Sequence, residues 1–378
     1  MRCLIIHNPA SGPSSDEIYA FTHALAQGGD EVVMRFIGDG MEPEDAVADV
    51  REFDRVVVSG GDGTVSNVLD QMRGCGVPTL VFPSGTACLF FNNIGNAPEA
   101  AALAKACRAG RTVKVDMGEL FWLDENGNEK RHGFIIIAGS GFDAEIMMKA
   151  APTKNDIGEI AYFLSALATP NPTVAHFTIE HDGIVEELDG ICCMAGNTSV
   201  IQNDINLFPN CRMNDGMVDI AVIEPVRTVQ LLPTVITAAL DPAGKVLGRP
   251  QFKIIQTKEA KITCTPSLGM QFDGEIISSN SGVFGARALP QCLDIIVDEF
   301  SPLGKQEDPR ERQSPDRLYC HRLGHARRLR HQRDSPPKEV NPHWYDIHPI
   351  IVSPAVYAFA KQRGIFISGI PSYFIRLQ

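Results

Sequence analysis

The chain has 378 residues, 44% hydrophobic and 21% charged, an ordinary make-up for a globular protein long enough to hold two packed cores. Its 34 basic and 46 acidic residues give a formal charge of −12, which excludes a general nucleic-acid binder with a basic surface. No run of about 18 apolar residues occurs, so no transmembrane segment is expected and a lipid partner would have to be met at the membrane surface.

The ten cysteines contain no CxxC pair or zinc-like spacing and read as reduced, mostly buried thiols of a cytoplasmic protein. The first apolar run, residues 2–7, is too short for a signal peptide and reads as a strand. It ends in the turn sequence Asn8-Pro9-Ala10-Ser11-Gly12. A helix is expected from about Ser14 to Gln27, a strand over Val32–Ile37, and a helix from Pro43 to Arg51. Arg55–Ser59 is a short unbroken apolar strand of the kind buried on both faces of a parallel sheet. After it come the loop Gly60-Gly61-Asp62-Gly63-Thr64, a helix to Arg73 and a strand over Thr79–Phe82. Asn96 and Glu99 have capping-box spacing for a helix closed by Gly110. This alternation predicts an α/β, doubly wound N-terminal domain with a parallel sheet.

Beyond Thr112 the pattern changes to strand-like runs: Val113–Trp122, Gly133–Ala138, Ala175–His181, Ile191–Ala195, Val218–Ile223, Lys253–Gln256 and Ala260–Thr265. One helical interruption spans about Ile157–Ala168, and Leu293–Val297 is a last strand. The series predicts an all-β, sandwich-like second domain. The expected division is a nucleotide-binding domain over 1–112, to which 284–300 returns, and a β-rich lipid-substrate domain over 113–283. The polar, Arg- and Pro-rich stretch from Ser301 introduces a tail, 301–378, that reads as linker or disorder.

Three turns fall at the carboxyl edge of the predicted sheet, where open α/β sheets bind ligands: residues 8–12, 60–64 and Pro83-Ser84-Gly85-Thr86. Glycines let phosphate oxygens approach the backbone, and a helix N-terminus behind residues 60–64 offers free N–H groups. Asp62 would repel phosphate unless a cation lies between them, which suggests Mg²⁺ bound with ATP. No GxxxxGK[ST] motif is present, so this is not a P-loop enzyme.

The three turns look like the nucleotide-binding motifs of the diacylglycerol kinase catalytic-domain family, which includes sphingosine kinases and bacterial lipid kinases and whose first domain is NAD kinase-like. The likeness continues through residues 139–144, 158–163, 214–219 and Phe272-Asp273-Gly274-Glu275. It implies a lipid kinase using ATP and Mg²⁺, peripheral at the membrane, and leaves a homodimer open. By that resemblance Asn8, Ser11, Gly12, the segment Gly60, Gly61, Asp62, Gly63, Thr64, Val65, Ser66, and Thr86 contact ATP. Glu275 accepts the proton of the lipid hydroxyl, with Asp62 as its catalytic companion. Asp215 with the carbonyls of Arg212 and Met217 would hold a structural Mg²⁺, and Asp143 would touch the head group.

Other readings compete on the residues. Without the resemblance Glu275 reads first as a turn residue of an Asp-Gly hairpin, and Asp215 can be an Asx turn without metal. The chain departs from the family at Ala87-Cys88-Leu89, which replaces two polar residues. NAD kinases share residues 60–64 but carry an Asn-Glu pair soon after; here Ser66-Asn67-Val68 follows. A kinase of a soluble acceptor such as NAD, or a silent nucleotide- or lipid-binding protein, are the alternatives.

Overall fold

The computed structural model describes residues 1–12, 16–38, 40–141, 172–202, 205–225, 241, 244, 248–277 and 281–303. The expected helix at 157–168, Asp143 and the tail from 304 onward lie outside them.

The N-terminal sheet is built on three strands, β1 (Arg2–His7), β3 (Arg55–Gly60) and β4 (Thr79–Pro83), paired in parallel in the order β1-β3-β4. Apart from Ser59 near the end of β3, their interiors are apolar, and all are buried, which is what helices on both faces of a parallel sheet require. At the edge, β2 (Glu31–Phe36) pairs with β1 and is only half-buried. Helix α1 (Glu17–Gln27) buries Ile18, Phe21 and Leu25, a helical stripe, and Phe21 meets Phe82 edge-on at 5.3 Å. The helix expected from Pro43 to Arg51 divides into α2 (Pro43–Ala46) and a single 3₁₀ turn, Val50–Glu52. Helix α3 (Asp62–Gln71) follows β3 directly.

A short helix, α4 (Leu89–Ile94), begins at the end of the altered Ala87-Cys88-Leu89 stretch, which carries no helix signal. The expected capping box is corrected: α5 (Ala100–Ala109) begins after Glu99 without a side-chain cap. Asn96 instead bonds Ile296 O (3.0 Å) and the Asp298 N–H (2.9 Å), tying the chain ahead of α5 to the far end of the sequence.

That connection reflects one strand, β18 (Val283–Val297). Near its end Ile295 pairs in parallel with Thr79 of β4, while its whole length runs antiparallel to β5 (Arg111–Leu123). Its first half pairs with β15 (Glu259–Thr265), which continues to β8 (Ala175–His181) and the edge strand β9 (Ile184–Gly190). With β6 (Glu129–Phe134) on β5, the described residues form one ten-stranded sheet that is parallel at one end and antiparallel at the other.

Two short strands, β11 (Val200–Gln202) and β12 (Ile205–Asn206), pair with each other, and a second, six-stranded antiparallel sheet packs on the antiparallel end. It contains β7 (Ile137–Gly141), β10 (Cys192–Gly196), β13 (Val218–Ile223), β14 (Phe252–Thr257), β16 (Met270–Phe272) and β17 (Glu275–Ile277), in the order β14-β13-β10-β7-β16-β17. Leu120, Phe177, Ile179, Ile262 and Phe284 of the first sheet face Cys193, Val218, Ile220 and Val222 of the second. The molecule is thus an α/β domain followed by a β-sandwich. The single strand expected over Gly133–Ala138 is two, because the backbone at Ile135 and Ile136 leaves the ladder to serve a carboxylate described below.

Candidate active site

At the carboxyl edge of the parallel strands the three glycine-bearing turns touch one another. A side chain on Gly85 would lie 2.5 Å from the Gly61 Cα, so the two loops meet backbone to backbone. Gly12, at φ 135°, faces the Ser84 carbonyl and the Thr86 N–H; a Cβ there would stand 3.2 Å from that oxygen. Asn8 donates from Nδ2 to Thr64 Oγ1 at 2.9 Å, joining the first turn to the start of α3. The first N–H groups of α3 have no partner within the helix and open on this cleft. Ser11 Oγ is buried and without a hydrogen-bond partner, a group suited to a phosphate oxygen.

The contacts between loops make a sharp contrast. Gly85→Ala forces backbone apart and is expected to cost about 3 kcal/mol or more, with nucleotide affinity lost alongside. Gly61→Ala places its methyl 3.8 Å from the Gly85 Cα, ordinary contact, and is expected to fold normally. Urea unfolding of the two variants checks this; equal stability would refute the close approach.

Asp62 does not project alone into the cleft. Its carboxylate caps α4, accepting the Leu89 and Phe90 N–H groups at 3.0 Å each, and burial raises its pKa against those bonds. This cap explains a helix whose own sequence shows no start signal. Val65 and Ser66 also differ from expectation as nucleotide contacts. The Val65 side chain is in the core and its N–H bonds Gly61 O, while Ser66 is 1% exposed and points to the sandwich.

Ser66 Oγ donates to Asp273 Oδ2 at 2.6 Å. The same carboxylate accepts the Ile135 N–H at 2.7 Å, Ile136 at 2.9 Å and Ile137 at 3.0 Å. Burial pushes the Asp273 carboxyl up to about 6, outweighing these donors, so it is ionised above neutrality. Asp273 and Gly274, with φ 43° and 94°, form the tight turn between β16 and β17. The turn presents Glu275, an exposed residue, toward α3: a Cβ on Gly63 would lie 3.3 Å from Glu275 Oε1. Glu275 and the loop bearing Asp62 therefore share one cleft. In the sequence Asp273 stands out only as part of a motif; no spacing links it to residues 135–137 or 66, and only the fold reveals its four donors.

Farther along α3, Asp70 accepts the Gly133 N–H at 2.8 Å, and His132 stacks on Phe272 at 4.1 Å. Glu119 is buried beside Arg73 and Arg287; burial would raise its pKa, but those two guanidinium groups hold it below the ordinary value. These contacts fix α3 against the sandwich.

Asp215, Arg212 and Met217 lie together on the turn before β13. Asp215 Oδ1 accepts the Met217 N–H at 3.0 Å, an Asx turn, and Oδ2 stands 3.4 Å from Gln256 Nε2. Burial and the nearby Asp116 charge raise the Asp215 pKa, leaving negative charge that a hard cation on oxygen ligands would relieve. Among the described residues no group of three or more His, Cys, Asp or Glu side chains is placed to hold a metal, so any such ion would lean on backbone carbonyls.

Fold and cleft define an NAD kinase-like, two-domain protein. Residues 2–120 match the diacylglycerol kinase catalytic domain, and residues 136–297 match the YegS C-terminal NAD kinase beta sandwich-like domain. In succession the two matches make this chain similar, over both domains, to proteins of the diacylglycerol kinase catalytic-domain family. It is 28% identical over 243 residues to a diacylglycerol kinase of Mycobacterium tuberculosis, covering 61% of this chain and 73% of that one. With a diacylglycerol kinase of Bacillus subtilis it shares 27% over 294 residues, 72% and 89% of the two chains. A solved structure of a diacylglycerol kinase from Bacillus anthracis superposes with a TM-score of 0.60 at 21% identity, covering 79% of this chain and 97% of that one, which supports the fold.

Proposed function

We propose that the protein transfers the γ-phosphate of ATP to the hydroxyl of a lipid. The observation that carries this reading is Glu275 held over the N-terminus of α3, beside the three glycine turns, by a hairpin anchored through Asp273. An alcohol is a weak nucleophile, and a carboxylate placed to take its proton contributes on the order of 10²–10⁴ in rate. The turns and the free N–H groups of α3 hold the triphosphate, with the Ser11 hydroxyl as a further donor. Magnesium bound with ATP would neutralise phosphate charge during transfer. Asp215, with the carbonyls of Arg212 and Met217, would hold a structural magnesium ion.

One observation favours a lipid acceptor: relatives of this chain bear the name diacylglycerol kinase. Among the described residues no helix is long and apolar enough to cross a membrane, so such an acceptor would be taken from a membrane surface.

The decisive assay incubates the protein with radiolabelled ATP, magnesium and either mixed-lipid vesicles or NAD. Label is expected in a lipid hydroxyl, diacylglycerol or a sphingoid base among the candidates. Label in NAD alone would replace this reading with that of a soluble-acceptor kinase, and ATP binding without any labelled product would leave a silent binding protein.

A further inference from the structure

Beneath the cleft lies a set of polar side chains that no step above uses. His7 ends β1, Ser59 lies one residue before the end of β3, and Ser84 follows β4; His7 and Ser59 immediately precede the first two glycine turns, and Ser84 is the second residue of the third. His7 Nδ1 and Ser59 Oγ are 2.9 Å apart, and Ser59 Oγ and Ser84 Oγ 2.6 Å apart. All three residues are buried: His7 is 1% exposed, Ser59 and Ser84 0%. In the parallel register His7 faces Ser59, and two residues earlier Ile5 faces Val57, which faces Leu80. The polar row thus continues a face that is otherwise apolar.

We propose that His7, Ser59 and Ser84 form a buried hydrogen-bonded relay that sets the spacing of the three turns and thereby the affinity for the nucleotide phosphates. The inference rests on the nucleotide-binding role proposed for those turns.

Apolar side chains in this row would fill the space without the cost of burying three polar groups, so stability alone gives little reason for them. Directional bonds do what apolar contact does not: they fix the distance between neighbouring strand ends. The turns above have no slack to absorb a shift. Gly85 and Gly61 already meet backbone to backbone, and Gly12 lies against the Ser84 carbonyl. The imidazole is held edge-on by Tyr19 at 6.1 Å and Phe36 at 5.9 Å. Burial, its foremost influence, keeps the ring below the ordinary histidine pKa, so the neutral ring sits in the row without a counter-ion. Each of the three is a positioning residue. None needs to touch the nucleotide.

The bland alternative is a satisfied core histidine with two serine neighbours, which would affect stability alone. The test measures ATP affinity by titration calorimetry with magnesium present, KM for ATP and kcat with lipid vesicles, and the thermal midpoint of each variant. Ser59→Ala and Ser84→Ala are expected to weaken ATP binding and raise KM by roughly five- to tenfold while kcat at saturating ATP stays within about twofold of wild type. His7→Asn places an amide atom where Nδ1 stands and is expected to keep near-normal affinity; His7→Leu, which cannot bond Ser59, is expected to lose it. Should one variant fail to fold, the others, on separate strands, read the same quantity. Wild-type ATP binding with all folded variants within twofold of it overturns the relay alone. Absence of ATP binding by the wild type overturns the proposed function, and the relay with it.

Discussion

Glu275→Gln is expected to lower turnover by roughly 10²-fold or more while ATP affinity stays near that of the wild type. The amide is nearly the same size and sits at the exposed end of a two-residue turn, so the hairpin and its Asp273 anchor are undisturbed. What changes is the ability to accept a proton. The acceptor hydroxyl then has to lose its proton to water while attacking phosphorus, and binding energy in the glycine turns does not offset that. Single-turnover measurements with saturating ATP isolate the chemical step. Turnover within threefold of wild type would remove Glu275 from the role of base and leave it a surface residue of the hairpin.

A second large effect is expected at Asp273, through stability as well as rate. Asp273→Ala strips the acceptor from three backbone N–H groups and the Ser66 hydroxyl at once. Buried donors without partners cost about 1–3 kcal/mol each, and partial relaxation limits the total to about 3–5 kcal/mol. The turn that presents Glu275 loses its anchor to α3, so turnover falls toward that of Glu275→Gln. Urea unfolding at constant pH measures the first quantity, and a loss under 1 kcal/mol would show that the four bonds are dispensable. The pH dependence carries a separate sign. Because the folded value, about 6, lies above the ordinary aspartate value, the fold binds this proton more tightly than the unfolded chain does. The Asp273 contribution to stability therefore declines as pH rises through that window and is constant above it. In Asp273→Asn this slope between roughly pH 4 and 6 is expected to vanish.

Much of the fold could be read from local pattern. The short, β-branched run within Arg55–Ser59 reads as a central strand, and the stripe Ile18, Phe21, Leu25 as a helix packed on one side. The glycine turns were legible because glycine is costly unless geometry demands it. Elements that depend on distant partners were not. The α4 helix starts where Asp62, from another loop, supplies its cap. The break between β6 and β7 exists because Asp273, far along the chain, takes the amides there. The edge strand β9, Ile184–Gly190, carries Glu186, Glu187 and Asp189 and lacks the apolar alternation of its partner β8. In the cleft, sequence pattern singled out the turn residues and missed the groups that hold those turns in place. Asp62 and Ser66, assigned to the nucleotide, spend their side chains on α4 and on Asp273 instead.

The strand β18 has a consequence for how the chain must be made. Until residues near Ile295 leave the ribosome, β4 has an open flank where its last neighbour belongs, and β5 lacks the partner that runs its full length. A product stopped near residue 120 would hold every glycine turn yet expose an unpaired sheet edge, a template for self-association. The half of the molecule synthesised first is therefore completed last, by a long-range pairing of the kind that slows folding.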